Sequence, residues 1–501
     1  MSRNDVVIIG SGLSGLLCGV ILAREGLGVT VLEKEPRAGG NLLTFSRNGV
    51  NFETGVHYVG SLGRGQTLAR YWDWIGLTDR IRTRKLDKDS FDRIAFGERE
   101  IKLAQGFDFF RESLLTSYPK DKAAIDEYLK TINQVADAFP LYNLRVPGEH
   151  REHQYLSRPA RGFFSGLGVL AGTTGITPLG SALAGNNYLY GGCSHAPLSS
   201  ASLINHSFIR GSYRFIGGSG RIASALADLL KEAGGSLVTG HEVTEIIPSP
   251  GTFIVRTRQN RPFNAGRVIA GIHPAQMLAM IPPGHFRSSY RERIAALPNT
   301  PSSFILFLGL KPDRFPYPNY NYYFHSGTDP WDEAEIAGNR WPAMYLLSAG
   351  CEEENQRYAR SVTLLTYMSW KEVSKWEKTL RGKRGDDYEA FKKEKAEKLL
   401  DMACRRFPEL KQSIAFMEIS TPLTYRDYTG TPEGSLYGIQ KDYADPVLTT
   451  ILPRTKIPGL YLTGQNTNLH GVLGVTISAI ATCGEILGLE YLLNKITHGT
   501  A

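Results

Sequence analysis

Apolar and polar positions fall in blocks along this chain, and the period of each block names an element. Asp5-Val6-Val7-Ile8-Ile9 opens with a short β-branched run, the pattern of a buried strand. Gly10-Ser11-Gly12-Leu13-Ser14-Gly15 follows, and residues 13–24 continue as an apolar helix that Gly26 stops. Val29-Thr30-Val31-Leu32 is a second apolar run and ends on Glu33. Helical spacing returns at 68–77 and 121–138, with Ile125, Tyr128, Leu129, Ile132 and Val135 on one core-facing stripe. A further helix is predicted over 222–233, then strands at 236–239, 242–246, 253–255 and 267–270. Residues 300–370 read as strands whose many aromatics form one face of a sheet over an apolar cavity. The charged stretch 371–385 reads as an exposed excursion, 386–407 as a long helix stopped by Pro408, and 475–487 as a terminal helix behind a Gly-rich turn.

Length and composition narrow the class. A chain of 501 residues is too long for one core, so two domains are expected. Hydrophobic content of 42% and charged content of 21% are those of an ordinary soluble globular protein. The net charge of +8 comes without a run of Lys and Arg. It therefore points to solubility and weak attraction to anionic lipid, and not to nucleic acid. Cys18, Cys193, Cys351, Cys404 and Cys483 are odd in number and widely spaced, which suits free thiols in a reducing compartment. No cluster has metal-ligand spacing. Residues 6–23 are uncharged but lack a small-residue cleavage site, so they are not read as a secretion signal. The uncharged stretch 162–194 is broken by Gly, Ser, Thr, Asn and Pro178 and is not read as a membrane span.

The strongest chemistry lies at the start. Strand, glycine turn, helix, strand and acid together form a dinucleotide-binding pattern. Gly10 allows the tight turn, Gly12 lets backbone approach a pyrophosphate, and Gly15 lets helix and strand pack closely. The helix N-terminus at Leu13 and Ser14 offers free N–H groups. Glu33, with Lys34 beside it, stands where a carboxylate can accept from ribose hydroxyls. Arg37, Gly39 and Gly40 form a second turn suited to backbone approach and phosphate contact. Gly218-x-Gly220-x-x-Ala223 imitates the same fingerprint, but the polar run Ser212-Tyr213-Arg214-Phe215 before it is unlike a buried parallel strand.

With Gly49 to Gly55, Val56, His57 and Tyr58 added, the chain resembles the flavin-dependent phytoene desaturase, carotenoid isomerase and retinol saturase family, and most of all its retinol saturase branch. Thr421-Pro422, Tyr425, Thr431-Pro432, Tyr437-Gly438 and Gly464-Gln465 extend the resemblance over nearly the whole chain. It implies an α/β fold: an FAD-binding Rossmann-like domain of the glutathione-reductase/amine-oxidase type with an inserted α+β substrate domain. The expected bounds are 1–80, 215–285 and 450–501 for the FAD domain, and 81–214 and 286–449 for the substrate domain. The resemblance implies FAD at the N-terminal fingerprint. It adds Val243 at the adenine, and Gly464, Gln465 and Val472 at the flavin's ribityl and pyrophosphate. NAD(P)H is a candidate electron donor. An apolar substrate is expected along 162–215.

No nucleophile elbow, paired-carboxylate signature or P-loop competes with this reading, so the cofactor carries the chemistry. His57, Tyr425 and His470 are the candidates for a proton or for a polar end group. Reduction of a C=C bond in a polyene, isoprenoid or retinoid-like lipid is the expected reaction, with desaturation or cis-trans isomerisation as the alternative. A prenyl-binding escort protein without flavin and an amine oxidase are readings from other classes. The intact Gly10, Gly12, Gly15 and Glu33 speak against the first, and the Thr54-Gly55-Val56-His57 and Gly464-Gln465 elements against the second. The expected location is cytoplasmic, with peripheral contact at the inner face of the membrane. The sequence leaves the oligomeric state open.

Overall fold

The computed structural model describes residues 4–148, 151–170, 175–191, 193–331, 341–467 and 469–499. Gly192 and Asn468, which belong to the segments that resemble the family, lie outside them.

Seven strands form the first sheet. Asn4–Ile9 lies between Val29–Leu32 and Pro262–Ala270, parallel to both, and Ser236–Val238 extends the edge beyond Val29–Leu32. Leu460–Leu462 also runs parallel on Pro262–Ala270, while Thr252–Thr257 and Val243–Ser249 follow as an antiparallel meander. The register sets Ile9 opposite both Leu32 and Ala270. Parallel strands covered on both faces need continuous apolar runs, and Val6, Val7 and Ile8 are wholly buried. Helix α1 (Leu13–Arg24) is buried from Leu13 to Ala23, which explains why it is apolar all round. It packs against the helix Gly471–Leu487 at the far end of the chain.

The second sheet also has seven strands, in the order Ile414–Ser420, Ser302–Leu310, Ser361–Met368, Met344–Ala349, Asn321–His325, Asp92–Phe96 and Arg99–Leu103. It is antiparallel except where Asn321–His325 pairs with Asp92–Phe96. The sequence suggests one buried aromatic face; the structure buries both. Successive residues of Ser302–Leu310 enter different cores. Phe304, Leu306 and Leu308 pack toward Ala396, Leu399 and Ala403 of the helix Asp386–Cys404. Ile305 and Phe307 face the opposite core. The two-residue period of a strand serves two layers at once.

Other boundaries move for identifiable reasons. The terminal helix starts at Gly471, so Gly471-Val472-Leu473-Gly474 is its first turn and not a loop before it. Pro408 does stop the long helix, but it also opens the next one, Pro408–Ser413, at a position where a missing N–H costs nothing. Residues 371–385 are only partly exposed. Val373 and Trp376 are buried, with the indole against Tyr388 and Phe391, and Arg384 pairs with Asp427. Ser212–Phe215 does form a strand, but an antiparallel one, in a small sheet with Val59–Gly60 and Thr83–Lys85.

Gly15 carries the tightest constraint at the glycine turn. A Cβ there would stand 2.0 Å from the backbone oxygen of Gly10. Gly15→Ala is expected to destabilise the protein by about 1–3 kcal/mol, the usual cost of overpacking against a rigid neighbour. A thermal melt that matches wild type would contradict this.

Candidate functional site

The parallel strands of the first sheet end together, and a cavity of about 390 Å³ opens beyond those ends. Gly10, Gly12, Leu13, Ser14, Glu33, Lys34, Gly39, Gly40 and Val243 line one part of it, and Gly464, Gln465, His470 and Val472 another. Toward the second sheet the wall becomes apolar and aromatic, with Tyr188, Phe208, Leu346, Leu365, Leu436 and Tyr437. His57 and Tyr425 stand in that part. Two predicted residues are off the wall. Gly15 packs beneath the turn, and Arg37 is exposed.

Two helix N-termini meet this cavity. Gly12 caps α1 and His470 caps Gly471–Leu487, and neither cap supplies a side-chain hydrogen bond to its helix. Their first-turn N–H groups, without a side-chain cap, stand at the positive ends of two helix dipoles and suit an anionic ligand. Gly10 sits at φ +92° and Gly464 at φ +102°, a region glycine enters without strain. A Cβ on Gly464 would lie 3.0 Å from Ser14 Oγ, so the Ser14 side chain runs close to the Gly464 backbone here.

Glu33 is buried and held in place. The Ser11 N–H (2.9 Å) and hydroxyl (2.6 Å) donate to its Oε2, and the Glu35 N–H donates to Oε1 (2.9 Å). A carboxylate has about four acceptor positions, so capacity remains on the cavity side. Lys34 donates from Nζ to the Asp427 carbonyl at 3.1 Å. Ser11 drew no attention in the sequence, because a serine inside a glycine turn carries no signal of its own.

The three candidates for chemistry differ in how much of each is free. The Tyr425 hydroxyl donates to the Thr54 carbonyl, and burial raises its pKa. His470 makes a 3.0 Å hydrogen bond from Nε2 to the Leu189 carbonyl and stacks on Tyr437, with ring centroids 4.5 Å apart. His57 alone of the three keeps a buried ring nitrogen, Nε2, without a partner. Burial holds both histidines down at about 4, helped at His57 by the charge of Arg214 and opposed at His470 by the Leu189 carbonyl. Both imidazoles are neutral at pH 7.

Behind His57 lies a polar network that the sequence did not reveal. The Tyr58 hydroxyl donates to Asp92 Oδ2 (3.0 Å) and lies 2.6 Å from the Tyr323 hydroxyl. Asn321 donates to Asp92 Oδ1 (3.0 Å) and accepts from the Arg214 guanidinium (2.9 Å). Burial pushes Asp92 up to about 7, against the hydrogen bonds from Asn321, Tyr58 and Asn186 and the charge of Arg214. Nearby Glu53 is pushed up to about 8 by burial, against Arg214 and the Ser219 N–H. These residues are scattered through the sequence, and only the pairing of Asn321–His325 with Asp92–Phe96 brings Asn321 to Asp92. Among the described residues, no group of three or more His, Cys, Asp and Glu could hold a metal ion.

The comparisons with known proteins agree with this geometry. The model of the family described as flavin containing amine oxidoreductase matches residues 13–487. The chain belongs to the flavin containing amine oxidoreductase family. The chain is 27% identical to an all-trans-retinol 13,14-reductase of Macaca fascicularis, over 97% of this chain and 86% of that one. It is 24% identical to a chloroplastic prolycopene isomerase 1 of an Oncidium hybrid cultivar, over 97% and 84%. An oxidoreductase structure from Methanosarcina mazei shares the fold with a TM-score of 0.63, at 16% identity over 95% of this chain and 99% of that one. FAD is thus the cofactor of this flavoprotein, and the uncapped N-termini, the glycine cradle and the held carboxylate of Glu33 fit it.

The buried carboxyls make stability depend on pH. Asp92 has a folded pKa of about 7, above the usual carboxylate value of about 3.9. The folded state therefore binds more protons between those values, and Asp92's contribution is full at low pH and lost as pH rises through about 7. Asp92→Asn should flatten the fall in melting temperature between about pH 4 and 7. An unchanged pH slope in the variant would contradict the assignment.

Proposed function

We propose that this flavoprotein reduces a C=C bond of an apolar polyene of the retinoid or isoprenoid kind. One observation carries the reading. The glycine turn and the aromatic pocket are parts of a single cavity, so an apolar ligand in the pocket lies beside the site suited to FAD. The names of the reductase and isomerase relatives support a polyene. The first sheet, with the segments around it, would hold the cofactor, and the second sheet would wall the substrate.

Bound FAD supplies the exchange of hydride with carbon. The chain's own residues do the rest. Leu13 and Ser14 at one helix N-terminus, and Gly471 and Val472 at the other, would hold phosphates and the flavin end. Glu33 would accept from the ribose, and Val243, Gly464 and Gln465 would complete the cradle. Tyr188, Phe208, Leu346 and Leu365 exclude water and align the polyene. His57 lines the cavity as a neutral ring whose buried Nε2 has no partner, suited to a hydrogen bond with a ligand hydroxyl or to passing a proton. Tyr425 and His470, bound to backbone carbonyls, position the wall. NAD(P)H is the proposed electron source. Contact with a membrane surface would supply the apolar substrate, although among the described residues no helix is long and apolar enough to cross a bilayer. A second reading, isomerisation without net redox, draws on the prolycopene isomerase relative.

The test is anaerobic. The yellow holoenzyme should bleach with NADH or NADPH and regain its absorbance when an all-trans polyenol is added, with a saturated product appearing. A flavin that stays bleached, with no saturated product but with a changed double-bond geometry in the polyene, would favour the isomerase. Bleaching by simple amines in place of NAD(P)H would overturn both readings. Glu33→Ala should weaken FAD retention by about tenfold or more, as expected on losing charge-assisted hydrogen bonds. Dialysis followed by flavin fluorescence checks this, and equal retention would remove Glu33 from the cofactor site.

A further inference from the structure

A second cavity, of about 230 Å³, adjoins the first. Tyr142, Leu203, Leu469 and Ile477 line both, so one layer of side chains divides them. Most of the second wall is apolar, including Phe139, Leu141, Pro147 and Leu156. Ser199 is among the polar residues that interrupt it, with His153, Ser200, Thr449 and Thr450. Ser199 is fully buried, and its Oγ has no hydrogen-bond partner. It lies in the first turn of the helix Leu198–Arg210, whose Pro197 cap offers no side-chain hydrogen bond. A buried hydroxyl left unpaired costs free energy that a ligand group can recover.

The charges around this cavity argue against an ion. Lys441 donates to the carbonyls of Thr449 (2.9 Å), Asn466 (3.0 Å) and Thr467 (3.3 Å), which take up its three donors. Asp442 faces His195 at 3.3 Å, and Glu152 adds a second carboxyl to the wall. With both signs present and the ammonium taken, the open position suits an uncharged polar group. Pro446, Thr449 and Thr450 line the cavity, and the neighbouring Val447, Leu448 and Leu452 are exposed, Val447 to 81%.

We propose that the second cavity receives the far end of an elongated apolar substrate, tipped by a hydroxyl or carbonyl that meets Ser199, while the reacting bond stays in the first cavity. The inference rests on the polyene reading above. Leu203 and Leu469 would turn aside to join the two spaces. Ser199 then acts as a specificity residue for the substrate's end group, and the second cavity sets the chain length.

Binding to the oxidised holoenzyme tests this without turnover, through the shift that a ligand causes in the flavin absorbance. The probes are geraniol, geranylgeraniol and the hydrocarbon matched to the latter. Wild type should bind geranylgeraniol about tenfold more tightly than its hydrocarbon. Ser199→Ala should abolish that preference, and Ser200→Trp, which fills the second cavity, should weaken geranylgeraniol about tenfold more than geraniol. Flavin content checks folding, and if Ser200→Trp loses flavin the Ser199→Ala result decides alone. An alcohol preference that survives Ser199→Ala overturns the proposal and leaves the polyene reading intact. If wild type binds none of the three probes, the polyene reading itself falls.

Discussion

The absence of room for a side chain at Gly15 is the constraint on which the rest of the structure depends. With only a hydrogen there, α1 can start directly above the carbonyl of Gly10. Its uncapped N-terminus then stands at the end of the central strand, where Gly464 and Ser14 also meet. A cofactor's phosphates need this arrangement of bare N–H groups at a dipole end, and a side chain would block it. Ser11, one residue into the turn, in turn fixes the Glu33 carboxylate.

Burial governs the rest of the cavity's chemistry. His57 and His470 are neutral because the charged imidazolium would lose its water. Asp92 and Glu53 are pushed toward neutrality for the same reason. Among the described residues, the aromatic end of the cavity therefore offers apolar surface and a few hydrogen-bonding groups, without a strong nucleophile or a fixed charge. Such a wall suits an apolar ligand whose chemistry is left to the flavin.

The N-terminal unit was legible because each of its parts is local. The run Asp5–Ile9, the turn from Gly10 to Gly15 and the helix that follows appear in the structure nearly residue for residue. The middle was less so. Strand period and aromatics marked 300–370 as sheet, but a strand that feeds two cores has no polar face to reveal that both its sides are covered. The start of the last helix was misplaced because Gly471 and Gly474 look like loop residues, yet Gly471 takes a φ of +73° at the helix start and Gly474 packs closely against Leu469.

By itself, then, the sequence determined the fold class, the glycine turn, the acid at Glu33 and the family, since these depend on residue type at short spacing. The tertiary structure decided which candidate stays open. Tyr425, His470 and His57 are equally suggestive in sequence, but Thr54 and Leu189, far away along the chain, take up the first two and leave His57 Nε2 unpaired. It also assembled Tyr58, Asp92, Asn321 and Arg214 into one network and put Ser199 into a second cavity. Hydrogen bonds between distant segments follow from sheet pairing and helix packing, and no local pattern encodes them.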